Sequence, residues 1–188
     1  MLIGRSSGRN DQDEIDRIHK RERDREEANL KTMETIASSV YAKDEYTGGH
    51  SARVANYLTL LAREMQQEYS FSEKDIQRFR YIGLMHDIGK IAIPDEILKL
   101  GDSLGDDEYE IMKQHSGRGS EIISQTFAGI NDPDFLKVAY EVARYHHEKW
   151  NGKGYPKGLS QKVIPFEARV MALADVFDAL VSKRVYKE

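Results

Sequence analysis

Apolar residues recur along much of this chain at the spacing of a helix face. Val54, Leu58, Leu61 and Met65 follow one another at steps of four, three and four, which predicts an amphipathic helix. A break over Tyr69 to Ser72 ends it. Ser72, followed by Glu73, Lys74 and Asp75, predicts the N-cap of a second helix. That helix carries the apolar run Phe79, Ile82, Leu84 and Met85. Further helices are predicted over about 106–126, 134–149 and 165–182, with Asp106 and Pro165 as start signals. The connectors are rich in Gly, Pro and Asp, and no run of alternating β-branched residues lies between turns, so a parallel sheet has no support. The predicted fold class is all-α.

The N-terminal stretch reads differently. Residues 9–27 are dense in both charge signs, with only Ile15 and Ile18 as apolar anchors, and cannot form a core of their own. Residues 1–27 are therefore expected to be a charged linker or tail, and 28–188 a single domain. Leu30, Met33, Ala37 and Val40 recur like a short heptad seam, which predicts a helix entering the domain. A homodimeric coiled coil, a solvated helix and a disordered tail all fit this short seam, and all stay open.

Composition narrows the partners. At 188 residues the chain can bury one substantial core. Its 28 basic and 32 acidic residues give a net charge of −4, so no global positive field favours a nucleic-acid polymer or an anionic membrane. Any phosphate recognition must be local. The absence of cysteine excludes disulfides and thiolate chemistry, and agrees with a reducing, cytoplasmic setting. No apolar run has the length to cross a bilayer, and Met1 to Asn10 lacks the apolar stretch of a secretory signal.

The chemistry concentrates in histidines and aspartates. His86 and Asp87 stand in Y-I-G-L-M-H-D-I-G-K-I, and His146 and His147 in Y-H-H-E-K-W. His50 follows T-G-G near a helix start, and His115 lies within a predicted helix. Asp175 sits in the apolar segment A-R-V-M-A-L-A-D-V-F-D-A-L, where a buried carboxylate needs a partner to offset its desolvation. His19 belongs to the charged tail and needs no special role. Any one of these histidines alone reads more simply as a hydrogen-bonded core or surface residue. Together, imidazoles and carboxylates without thiolates suit divalent iron, manganese or zinc and make too nitrogen-rich a set for calcium.

Lys90, three residues after Asp87, is expected on the same helix face, where its ammonium could meet a phosphate oxygen. As an isolated residue it would simply favour a helix C-terminus. Adjacent helical residues diverge by about 100°, so His146 and His147 can reach one centre only if their helix ends or bends there. Gly152 and Gly154 in W-N-G-K-G-Y-P allow that, with Tyr155 and Pro156 forming a surface beside it. Asp178, one turn beyond Asp175, either orients a histidine or faces solvent.

In order, H-D-I-G-K-I-A-I-P-D, H-H-E-K-W-N-G-K-G-Y-P and A-R-V-M-A-L-A-D-V-F-D-A-L resemble the HD-GYP branch of the HD phosphohydrolase superfamily, from about Ala28 to the chain end. The resemblance implies a helical bundle and a bacterial phosphodiesterase of cyclic di-GMP, giving pGpG and then GMP by a hydroxide shared between two metals. It implies metal ligation by His50, His86, Asp87, His115, His146, His147 and Asp175, with Asp87 bridging and serving catalysis together with Lys90. Iron or manganese stands ahead of zinc. By the same likeness Lys90 binds phosphate, Gly154 and Tyr155 border the nucleotide, and Arg184 and Lys187 grip its phosphates.

Tyr46 stands where some family members carry a glutamate that helps hold a third metal, so two metals are expected. Asn151 replaces a frequent aspartate. Family domains usually continue for several helices beyond the position of Lys187, so the resemblance implies a C-terminally incomplete domain, exposed apolar surface near Phe177 and Val181, and an N-terminal sensor or receiver domain outside this chain. Two rival readings are a weakly active or inactive adaptor that binds a partner protein, and a phosphohydrolase acting on another nucleotide such as 3′,3′-cyclic GMP-AMP.

Overall fold

The computed structural model describes residues 7–43, 49–101 and 103–182. Tyr46, Arg184 and Lys187 lie outside these residues. So do the side chains of Leu30, Met33, Ala37 and Val40, and with them the seam on which dimerisation would turn.

Helices α1 (Ser7–Lys43), α2 (His50–Glu64), α3 (Gln66–Tyr69) and α4 (Glu73–Met85) lead into a 3-10 turn at Ile88–Ala92. There follow α5 (Asp95–Leu98), α6 (Asp106–Met112), α7 (Gln114–Thr126), α8 (Pro133–Tyr145), a second 3-10 turn at Gln161–Val163, and α9 (Phe166–Val181). Among the described residues the only β pairing is an isolated bridge between Asn151 and Ser160. The molecule is an all-α bundle. No described helix is long and apolar enough to cross a membrane.

Helix α2 lies between α4 and α9, while α7 packs on α8 and on the turn Ile88–Ala92. Val54, Leu58 and Ala62 of α2 meet Ile76, Phe79, Ile82 and Met85 of α4 in the core, with Ile123, Phe135, Val142 and Met171 behind them. Full burial of a side chain such as Leu58 contributes about 1.5–3 kcal/mol. Helix α1 runs unbroken through the boundary expected at residue 27 and rests on α4 and the turn Ile88–Ala92. The side chains described from Gln12 to Arg25 are exposed.

Ser72 caps α4 as its sequence predicts. Its Oγ accepts from Asp75 N at 3.2 Å, and the Asp75 carboxylate accepts from Ser72 N at 3.0 Å. The helix expected over 106–126 is divided at Lys113. There, His115 Nδ1 donates to Met112 O at 2.7 Å and Ser116 Oγ donates to Lys113 O at 3.0 Å, so side chains compete for carbonyls that helical amides would use.

Asp132 is the N-cap of α8; its carboxylate accepts from Phe135 N at 3.2 Å and pairs with Arg78 and, at 3.8 Å, with Lys74. Burial alone would raise the Asp132 pKa, but Arg78 and the Phe135 amide hold it below the usual carboxylate value. Asp132→Ala is expected to cost about 1–2 kcal/mol at neutral pH. The cap stabilises above the unfolded carboxyl pKa and is lost as pH falls through the lower folded one. Urea unfolding should therefore show the gap between variant and wild type closing in acid.

Candidate metal centre

Five chain segments meet at the candidate centre, from α2, the end of α4, α7, the end of α8 and α9. Helix α4 ends at Met85, so His86 and Asp87 stand at the junction with the 3-10 turn, 1% and 5% exposed. Gly89 explains how closely that turn approaches α7. A Cβ there would lie 1.8 Å from His115 O and 2.4 Å from Gly119 N. Only glycine fits, and its absent side chain brings Asp87 within reach of His115.

Asp87 is the hub. Its Oδ1 lies 3.3 Å from His115 Nε2 and 3.6 Å from His146 Nε2, and its Oδ2 lies 3.4 Å from His86 Nε2. Lys90 Nζ reaches Oδ2 at 2.8 Å from the same turn. The expected proximity of Lys90 is present, on 3-10 rather than α geometry. Donor atoms of Asp87, His115, His146 and His147 lie within 4.8 Å of one another, as do those of His50, His86 and Asp87. Asp175 joins the second group, its Oδ1 3.1 Å from His50 Nε2. All seven residues singled out in the sequence as potential ligands are thus brought into two groups that share Asp87.

The pair His146 and His147 converges because α8 stops at Tyr145, four residues before the helix end predicted near 149. The loop then folds back on itself. Glu148, 4% exposed, accepts from Lys157 N at 2.7 Å and Leu159 N at 2.9 Å. A Cβ on Gly154 would meet Lys149 N at 2.4 Å and His147 O at 2.5 Å, so glycine is required for this close return. Tyr155 stacks on His147 with ring centres 4.7 Å apart, beside Tyr109 and under the Lys113 ammonium. Asn151 Oδ1 accepts from Lys153 N at 3.0 Å within the loop and touches none of the seven.

The donor chemistry fits divalent cations. His86, His115 and His146 each donate Nδ1–H to a backbone carbonyl, Gly83 O at 2.7 Å, Met112 O at 2.7 Å and Val142 O at 2.9 Å. This orients each ring so that its Nε2 faces Asp87. His115 Nε2 and His147 Nε2 face each other at 3.1 Å, within hydrogen-bond distance. Burial, outweighing the nearby Asp87, lowers the His115 pKa to about 4. Burial and the neighbouring His146 and His115 push His147 well below its ordinary value. Both are neutral donors at pH 7. Burial opposes ionisation of Asp87, yet Lys90 and His86 hold its carboxyl well below the usual range.

His50 and His146 behave oppositely. Burial would lower both, but Asp175 and Asp178 raise His50, and Asp87 raises His146. Protons there balance the carboxylates, a role that a bound cation takes over.

Sequence reasoning missed Arg53, Glu148 and the Lys113–Tyr109 pair beside Tyr155. Arg53 carried a usable signal: His50 and Arg53 are three apart on α2, as Asp175 and Asp178 are on α9. Asp178 is buried at 1% exposure, which removes the solvent-facing alternative.

Comparison with known proteins agrees with this arrangement. Residues 31–188 match the family model described as HD domain. The chain is 41% identical over 145 residues to a cyclic di-GMP phosphodiesterase of Thermotoga maritima, covering 77% of this chain and 37% of that protein. It is 38% identical over 165 residues to 3′3′-cGAMP-specific phosphodiesterase 2 of Vibrio cholerae, covering 88% and 30%. A cyclic di-GMP phosphodiesterase of the same organism is 37% identical over 157 residues, covering 81% and 32%. The chain spans about a third of the length of these relatives. With a family match over most of its length and the buried histidine–aspartate doublet at its centre, the chain belongs to the HD-domain family.

Proposed function

We propose that this chain carries the catalytic site of a metal-dependent phosphodiesterase that hydrolyses cyclic di-GMP to pGpG and then to GMP. The observation that carries the reading is Asp87, a buried carboxylate shared by two groups of nitrogen donors, with Lys90 at 2.8 Å. One metal would be held by Asp87, His115, His146 and His147, the other by His50, His86, Asp87 and Asp175. Iron or manganese suits this nitrogen-rich set, and zinc is also compatible. Tyr46, in place of a carboxylate, supports two metals rather than three. When bound, such ions activate water and neutralise developing charge on a phosphoryl group.

The chain's own residues do the rest. Water adds to phosphorus in line, the bond to the ribose 3′ oxygen breaks, and the Lys90 ammonium stabilises charge on a phosphoryl oxygen. Tyr155, stacked on His147, borders the nucleotide together with Gly154, and Arg184 and Lys187 would hold its phosphates. The names of the relatives divide between cyclic di-GMP and 3′3′-cGAMP, so both belong in the assay. An N-terminal sensor or receiver domain would supply the signal, and the α1 seam a dimer contact. A chain that handles intracellular second messengers would work in the cytoplasm.

The deciding experiment is an anaerobic preparation, analysed for metal and assayed with both cyclic dinucleotides. Two metal equivalents and linear product support the proposal. Metal without cleavage, together with capture of a diguanylate cyclase or receiver domain, would favour the adaptor instead. Lys90→Ala is expected to keep its metal and lose about 10²–10³-fold in turnover. Metal analysis beside steady-state kinetics checks this, and unchanged turnover would remove Lys90 from the mechanism.

A further inference from the structure

His50 differs from its neighbours in what holds its outer nitrogen. His86, His115 and His146 find backbone carbonyls three or four residues upstream. His50 is the first residue of α2, with Gly49 as its N-cap. Its Nδ1 instead meets Asp178 Oδ2 at 2.7 Å, across on α9.

Asp178 is itself held on every side. Its Oδ1 accepts from Arg53 Nε at 2.8 Å and Ser182 Oγ at 3.0 Å, and its Oδ2 accepts from Arg53 Nη2 at 2.9 Å. A forked guanidinium bond fixes the carboxylate plane as well as balancing its charge. Asp175, one turn earlier on α9, approaches the opposite nitrogen of the same ring at 3.1 Å. One imidazole therefore lies between two carboxylates of a single helix. Only the inner one is free to turn to a cation, because Arg53 anchors the outer one.

We infer that the Arg53–Asp178 pair is a positioning device for one of the two metals, the one held by His50, His86, Asp87 and Asp175, and leaves the other unaffected. The inference rests on the metal ligation proposed above. Its physical basis is that His115 and His146 of the second group take their orientation from backbone carbonyls of α6 and α8, Met112 O and Val142 O, which the bonds of Asp178 do not involve. An outer carboxylate on a ligating histidine typically changes metal affinity by about 10–100-fold. The two sites should separate by that factor when the clamp is removed.

The test uses zinc, which is diamagnetic and needs no substrate. Wild-type chain, Asp178→Asn and Arg53→Ala are loaded with zinc and titrated with a competing chelator, with folding checked by circular dichroism. Nitrogen-15 NMR reads the His50 tautomer. Wild type should hold two zinc ions with His50 protonated at Nδ1. Both variants should hold one zinc at wild-type affinity and the other about 10–100-fold more weakly. Arg53→Lys should recover part of the loss. If Asp178→Asn does not fold, Arg53→Ala decides, since the Arg53 side chain is 39% exposed.

Equal weakening of both sites, or of neither, overturns the inference. Fewer than two zinc ions in the wild type overturns the ligation reading and the clamp together. Failure to cleave cyclic dinucleotides leaves these zinc measurements intact and bears on the proposed function alone.

Discussion

Alanine at Asp87 is expected to empty both metal groups and to abolish hydrolysis, the largest single effect available in this chain. Every other ligand serves one group, whereas Asp87 contributes Oδ1 beside His115 and His146 and Oδ2 beside His86. Its removal also takes away the carboxylate that Lys90 meets at 2.8 Å, so a half-buried positive charge beside His115 is no longer balanced by Asp87. That arrangement repels a divalent cation. The loss of turnover should exceed the roughly 10²–10³-fold that removal of one preorganised donor costs. Metal analysis and product chromatography on the same sample check the result. Unchanged turnover would end the mechanism.

Gly89→Ala is expected to be nearly as damaging, by a different route. The added methyl would sit 1.8 Å from His115 O, with Gly119 N at 2.4 Å. These are backbone atoms of α7 and cannot turn aside. The turn Ile88–Ala92 must therefore move away from α7, at the upper end of the range for overpacking, about 3 kcal/mol or more. The same displacement widens the 3.3 Å approach of Asp87 to His115, so metal affinity should fall even in molecules that remain folded. Urea unfolding of the metal-free chain, followed by metal titration, separates the two effects. A stability within about 1 kcal/mol of wild type would show that the neighbouring backbone yields.

Much of the fold was legible because its signals are local. The Ser72 cap, the Pro165 start and the face of Val54 and Leu58 each depend on a few neighbouring residues. The candidate ligands were legible as a set because imidazoles and carboxylates without thiols stand out in the sequence, and the structure brings them together. Helix α9 was harder. Leu173, Val176, Phe177, Leu180 and Val181 are apolar yet exposed, while Ala174 and Asp178 face inward. Its hydrophobic pattern therefore cannot tell the inner face from the outer, and the burial of Asp178 could not be read from it. Arg53 was missed for a related reason: its meaning lies in a partner 125 positions away. The division at Lys113 depends on side-chain bonds from His115 and Ser116 that helical propensity does not register.

The joining of α2 to α9 through His50 also bears on how the domain assembles. The bond from His50 to Asp178 spans 128 positions, so it closes almost the whole described domain into a ring. Contacts of such long sequence separation are slow to form, because chain entropy must be lost before they contribute. The segments around His86, His115 and His146 can organise their rings from carbonyls within one helical turn. The rings of His86, His115 and His146 are thus prepared by local structure, and that of His50 waits for α9 to dock. During synthesis from the N-terminus, the arrival of α9 completes the set of candidate ligands.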